Sequence, residues 1–188
     1  MAVELGRVVS DIAAALVQID TSGVPFKAFK AGVGPYGEPQ VVRLIASFLN
    51  QSDAYRDRVV TRRTPDLLIK NSWALEFKIA RPFGDNGREA ENWSVNLLHP
   101  YPGNVSVVGD CLKLVQFDGP ERRAVVVIGY EHTPPQISLT PLFNAFELIA
   151  RRITGIRLGP KIEEHREKLI HPVHQRLVVA AWEVLGKP

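Results

Sequence analysis

The 188-residue sequence contains a single cysteine, Cys111. One thiol excludes a disulfide framework within the chain and a zinc site built from several thiolates. No apolar run reaches the roughly 18 residues of a membrane span. Charged residues, among them Glu4, Arg7, Asp11 and Asp20, interrupt the stretch where a secretory signal would be uncharged. We therefore expect a soluble, cytoplasmic protein with no membrane partner.

Two widespread catalytic motifs are also missing. No serine lies in a Gly-x-Ser-x-Gly elbow, and no P-loop lysine motif occurs. The segment Gly32-Val-Gly34-Pro-Tyr-Gly37 matches the spacing of a dinucleotide fingerprint. No buried strand precedes it, however, so it is interpreted as a loop that leads into a helix.

The composition is that of a folded, weakly basic protein. Hydrophobic residues make up 45% and charged residues 23%, as in ordinary globular domains. Lys and Arg exceed Asp and Glu by 23 to 20, which gives a net charge of +3. This charge permits nucleic-acid binding without establishing it. The length predicts one domain over residues 1–188.

The hydrophobic pattern changes period along the chain, from helical spacing to strand alternation and back. A loop rich in Gly, Asn and Pro covers 81–104. The order of elements predicts an α/β domain with a mixed central sheet flanked by helices. The predicted helices are 3–20, 38–50, 105–117, 139–154 and 173–185, and the predicted strands are 57–62, 65–70, 73–80 and 123–130.

The second and third predicted strands form a hairpin that concentrates charged residues. If Asn71 is the centre of the turn, Asp66 lies opposite Glu76. Opposed side chains of an antiparallel pair have Cβ atoms about 5 Å apart. Lys78 shares the face of Glu76, because side chains two apart on a strand point the same way. One register thus predicts two carboxylates and an ammonium group at one place.

Opposed carboxylates repel each other, so this pairing gives a purely structural sheet no benefit. A hard divalent cation makes it favourable, because Mg²⁺ prefers oxygen ligands. A lysine beside that ion can orient water and neutralise charge that develops on a phosphate. The set therefore predicts phosphodiester hydrolysis. The alternative is a solvated strand face on which Asp66 closes a turn after Pro65.

These residues resemble the signature of the PD-(D/E)xK nuclease superfamily, which has the restriction-endonuclease-like fold. The matching features are Pro65-Asp66 and, ten residues later, Glu76-x-Lys78. Over about residues 38–131, the order helix, three strands, helix, strand is similar to the αβββαβ core of that family. The resemblance implies a metal-dependent deoxyribonuclease that acts on DNA.

The resemblance also implies a role for each residue. Asp66 and Glu76 would bind Mg²⁺ or Mn²⁺ together with the backbone carbonyl of Phe77, and Lys78 would position or activate the attacking water. An additional glutamate before the first strand would be Glu38, for which Glu4 on the first helix is the competitor.

The partners and the pathway are less determined. Arg62 and Arg63 are the expected contacts to backbone phosphates, although arginines also protect exposed strand edges. Family members serve restriction, repair, recombination and phage defence, and cutting both strands of a duplex leaves a homodimer open. The alternative function is a non-catalytic nucleic-acid-binding or assembly module on the same fold.

Aromatic residues of the long loop have two interpretations. Trp93 and Tyr101 follow Lys78 closely enough to stack on an exposed base near the proposed site. The alternative is a structural role, in which these two side chains anchor the loop to the core. Lys113, on the predicted helix 105–117, either reaches the site across the sheet or forms an ordinary surface pair with Asp110.

Overall fold

The computed structural model describes residues 2–101 and 105–185. Predicted helices 3–20, 38–50, 105–117 and 139–154 are confirmed, each with slightly shifted ends. A short additional helix lies in the predicted loop 81–104, whose last residues, 102–104, fall outside the described part. The helices are α1 (Leu5–Thr21), α2 (Glu38–Leu49), α3 (Val95–Leu98), α4 (Val107–Val115) and α5 (Thr140–Ala150).

The described residues also form a seven-stranded mixed sheet. The strands are β1 (Val59–Thr61), β2 (Leu67–Ile69), β3 (Trp73–Ala80), β4 (Arg122–Glu131), β5 (Arg157–Leu158), β6 (Ile162–Arg166) and β7 (Arg176–Leu185). The four predicted strands therefore exist as β1 to β4.

Strand order positions the hairpin beside the long central strands. The order is β1-β2-β3-β4-β7-β5, and β6 also pairs with β7. Only β3 and β4 run parallel among the pairs in the described residues; the others are antiparallel. The connection from β3 to β4 contains α4, as a parallel pair requires a crossover. Helices cover both faces of the sheet: α1 and α2 pack with one core, α4 and α5 with the other.

The prediction of a helix over 173–185 is wrong, because this segment is strand β7. Leu177-Val-Val-Ala-Ala-Trp is almost continuously apolar, and such a run does not distinguish a buried strand from a buried helix by period. Its residues are buried on both faces, between β4 on one side and β5 and β6 on the other. The short strands β5 and β6 were not predicted either.

A buried polar cluster joins two loops behind the sheet. Asp20, only 1% exposed, accepts the backbone N–H of Val33 at 2.9 Å and that of Ile170 at 2.8 Å. A Cβ on Gly34 would lie 2.1 Å from Nδ1 of His174, so only glycine fits there. The glycine-rich segment is therefore explained by close packing against this imidazole.

None of the helices in the two described ranges combines the length and apolar character that crossing a membrane demands.

Candidate active site

The β2–β3 hairpin has the register predicted from the sequence. The pairs are Leu67–Leu75, Leu68–Ala74 and Ile69–Trp73. Asn71 occupies the turn with a φ of 58°, a conformation that asparagine tolerates. Asp66 is the residue before β2, so the same register extended by one places it beside Glu76.

The unequal lengths of β2 and β3 leave a free edge. β2 has 3 residues and β3 has 8, so the second half of β3 extends beyond its partner. The backbone N–H of Phe77 on this edge donates to Oδ2 of Asp66 at 2.8 Å. The Asp66 carboxylate thus replaces a strand partner and is held against the carboxyl end of β3.

Glu76 and Lys78 face α4, where a third acid meets them. Asp110 of α4 is 1% exposed, and its Oδ2 lies 3.0 Å from Nζ of Lys78. Nζ of Lys113 lies 2.6 Å from Oδ1 of the same carboxylate. The charged side chains Glu76 and Lys78 therefore lie on the face of β3 that packs against α4. Leu75 and Phe77 enter the core on the opposite face, as expected.

Asp110 was not predicted as a site residue. The available signal is that it belongs to the apolar stripe of α4, between Val107 and Leu114 and next to Cys111, all buried. A carboxylate at a core-facing helical position requires a partner in the protein. Here the partners are Lys113 on α4 itself and Lys78 on β3.

The structure brings Glu38, and not Glu4, to Lys78. Glu38 begins α2, and its Oε1 lies 3.4 Å from the lysine Nζ. Lys78 also donates to the carbonyl oxygen of Phe77 at 3.0 Å. Glu4 precedes α1, is 81% exposed along its side chain and lies 3.6 Å from Arg122.

The surroundings of Glu76 and Glu38 oppose the charged forms of these two acids. Glu76 is 3% exposed, and its Oε1 has no hydrogen-bond partner within the described residues. Burial, with the nearby charges of Asp66 and Asp110, raises the pKa of Glu76 to about 8. Burial also raises the pKa of Glu38.

At Lys78 the surroundings favour the charged form instead. Burial lowers its pKa, but the carboxylates of Asp110 and Glu38 outweigh burial, and the net pKa is raised. The lysine is therefore a firmly held ammonium group, and Glu76 carries a proton over much of the neutral range.

The oxygen atoms of the site fit a hard cation. The unpartnered Glu76 oxygen, the Asp66 carboxylate and the Phe77 carbonyl lie on or against one edge of β3. Carboxylate and carbonyl oxygens are the ligands that Mg²⁺ and Mn²⁺ take in proteins. No group of three or more acidic, His or Cys side chains close enough to hold a metal exists in residues 2–101 and 105–185. The oxygen groups that a cation could contact at this edge are therefore two carboxylates and one carbonyl.

A cavity of about 360 Å³ opens beside this edge. Glu38 and Asp66 contribute to its wall together with Arg43, Arg62 and Arg63. All three arginines are exposed. Arg43 was not predicted; α2 carries it one turn after Glu38, and only the packing of α2 against β1 brings it near the other two.

Two further arginines of the same stretch lie elsewhere. Arg56 pairs with Asp53 at 2.5 Å, and Arg58 donates to the carbonyl of Lys70 and to the hydroxyl of Ser72. Neither contributes to the wall of the cavity. The arginines that line this cavity are therefore Arg43, Arg62 and Arg63.

Comparison with known proteins gives no match: no family model, no curated protein and no solved structure is similar to this chain at a significant level.

Proposed function

We propose that this protein is a metal-dependent nuclease that hydrolyses phosphodiester bonds in DNA, with a restriction-endonuclease-like core. The order α2, β1, β2, β3, α4, β4 supports the core, because it follows the αβββαβ order that the resemblance implies once the short α3 is set aside. The choice of DNA also depends on that resemblance.

One observation carries the proposal. Asp66 and Glu76 meet at a free strand edge with Lys78 beside them, next to a cavity lined by three arginines. Burial and the charges of Asp66 and Asp110 raise the pKa of Glu76 there to about 8. Burying mutually repelling acids costs stability, and a bound cation is the natural compensation.

Each residue then has a distinct role. Asp66, Glu76 and the Phe77 carbonyl would hold Mg²⁺ or Mn²⁺, which supplies Lewis acidity toward the phosphate and lowers the pKa of bound water. Lys78 orients the attacking water and offsets charge on the phosphate. Glu38 and Asp110 hold the lysine in place.

The arginine-lined cavity provides the contact to the substrate backbone. Arg43, Arg62 and Arg63 are exposed beside Asp66, where guanidinium groups can pair with phosphate oxygens. Such contacts supply sequence-independent affinity that decreases as salt increases. In this proposal, the three arginines hold a DNA strand across the free edge of β3.

A specific observation favours a second candidate, a non-catalytic DNA-binding module. Lys78 already has three oxygen partners, on Glu38, Asp110 and Phe77, and this contact set stabilises the fold without any metal. Such a module would bind DNA through the arginines and would not cut it.

A nuclease assay separates the two candidates. Supercoiled plasmid, linear duplex and single-stranded DNA are incubated with Mg²⁺, with Mn²⁺ or with EDTA, and binding is titrated in parallel. We expect cutting only with the metals, and loss of cutting in Lys78→Ala. Lys70→Ala is the matched control, because Lys70 is an exposed lysine at the turn of the same hairpin.

Two results would contradict the proposal. Salt-sensitive DNA binding without metal-dependent cutting identifies the non-catalytic module, and wild-type rates in Lys78→Ala show that the site is misassigned. The plasmid arm also tests whether the protein acts as a homodimer, since two linked sites yield linear product with little nicked circle.

A further inference from the structure

A second cavity has a volume of about 350 Å³, and part of its wall comes from the residues that follow Lys78 in the sequence. Ile79, which follows Lys78 on β3, belongs to its wall. Two aromatic residues from distant segments, Phe29 and Trp93, also line it, together with the side-chain amide of Asn96. Phe29 is 43% exposed, and Trp93 is half-buried.

Arg81 connects this cavity to the catalytic site. It lines the cavity and interacts electrostatically with Glu38. Its guanidinium donates one N–H to the carbonyl of Gly34 at 2.7 Å, the one hydrogen bond it makes to the described residues. Its other N–H groups make no hydrogen bond to residues 2–101 and 105–185, and the side chain belongs to the cavity wall.

The chemistry of the two cavities differs. The first has three arginines, which suit phosphate. With its two acids, Glu38 and Asp66, counted, the first cavity still has an excess of one cation. The second has one arginine, Arg81, against two acids, Asp85 and Glu91, so it has no cationic excess with which to hold a phosphate. Partly exposed rings and a side-chain amide suit a flat heterocycle with polar edges, because such a ring stacks on aromatics and hydrogen-bonds at its rim.

We propose that this second cavity binds one unpaired nucleobase of the strand whose phosphodiester is held at the candidate active site. The inference rests on the proposed function for the strand that carries the base, and it adds a substrate class: DNA with a single-stranded or unpaired nucleotide. Paired bases cannot present a face to Trp93 without first leaving the stack, which costs a few kcal/mol.

The test measures binding rather than cutting, in EDTA. Trp73 and Trp182 are fully buried, so quenching of tryptophan fluorescence by a base reports on Trp93. The probes are a single-stranded 12-nucleotide DNA, a blunt duplex of the same length, and free deoxyadenosine monophosphate. We expect the single strand to quench fluorescence and to bind at least about fivefold more tightly than the duplex.

Variants identify the residues responsible. Affinities of the variants are measured by the fluorescence anisotropy of a dye-labelled strand, because substitution of Trp93 removes the tryptophan reporter. Trp93→Ala and Phe29→Ala each weaken single-strand binding by about 10-fold, in line with the loss of one stacked base, whereas Trp93→Phe keeps most of the affinity. The matched control is Tyr101→Ala, which removes an aromatic side chain that is 68% exposed, in the same loop but outside the cavity wall. Thermal melts confirm that each variant folds.

The outcomes distinguish this inference from the proposed function. Equal binding of single strand and duplex, or wild-type affinity in Trp93→Ala, overturns the nucleobase site even if the protein cuts DNA. Quenching by the mononucleotide alone shows that the base enters as a free nucleotide and overturns the strand-borne form. Base binding by a protein that never cuts DNA supports the nucleobase site and removes only the catalytic proposal.

Discussion

Asp20 and Glu76 are both buried acids, yet their surroundings are opposite. Asp20 is 1% exposed, and each of its oxygens accepts a backbone N–H. Glu76 is 3% exposed, with one oxygen unpartnered and two further carboxylates, those of Asp66 and Asp110, close enough to raise its pKa.

Asp20 therefore stabilises the fold through its hydrogen bonds, whereas the buried, unpartnered oxygen of Glu76 destabilises it. Hydrogen bonds to a buried carboxylate stabilise its charge, whereas an unpaired buried acid costs free energy. Strained, under-satisfied groups of the second kind concentrate at functional sites. The predictions below test whether these two acids really differ in this way.

The largest expected effect is on cutting. Asp66→Asn should lower the rate of metal-dependent cleavage by about 10²-fold or more, because the amide keeps its acceptor for Phe77 but loses the charge that holds a cation. The free energy of unfolding should change by less than about 1 kcal/mol. Rates come from plasmid nicking and stability from urea titration. A large loss of stability with unchanged cutting would reverse the assignment.

Asp20→Ala should have the largest effect on stability. Two buried backbone N–H groups lose their acceptor, so the free energy of unfolding should fall by about 2–4 kcal/mol. The matched control is Asp53→Ala, at an exposed aspartate, which should stay within about 0.5 kcal/mol of the wild type. Equal effects at the two positions would show that Asp20 does not support the fold.

Glu76→Gln should stabilise the metal-free protein at alkaline pH. The pKa of Glu76 rises from an ordinary 4.5 to about 8 on folding, so the folded state binds the extra proton between these values and loses stability as pH rises through that window. In EDTA at pH 9, the variant should therefore be more stable by about 1–3 kcal/mol. At pH 4 the two proteins should unfold at nearly the same urea concentration.

The smallest effect concerns the arginines. Arg43→Ala, Arg62→Ala and Arg63→Ala should each weaken DNA binding only severalfold and reduce the slope of log affinity against log salt by about 1. Arg56→Ala, which removes an arginine paired with Asp53 outside the cavity, should leave the slope unchanged. A slope that responds equally to all four would place the DNA elsewhere.

The hairpin could be predicted from the sequence because its contacts are local. A turn at Asn71 determines the register, and the two-residue period places Glu76 and Lys78 on one face. The approach of Asp110 could not be predicted in this way, because it depends on how α4 crosses the sheet in three dimensions. Arg43 was missed for the same reason.

Strand β7 illustrates a different limit. Buried strands and buried helices both show continuous apolar runs, so local pattern could not identify a strand that is covered on both faces. Its partners, β4 and β6, are distant in sequence or too short and polar to stand out. The register of the hairpin was thus more predictable than the strands on the other side of the sheet.

The central claim is that Asp66 and Glu76 hold a divalent cation beside Lys78. Crystals soaked in Mn²⁺ test it directly through anomalous diffraction. The account predicts a peak about 2.0–2.5 Å from carboxylate oxygens of both Asp66 and Glu76. Manganese bound elsewhere, with no peak between these two side chains at saturating concentration, would contradict it.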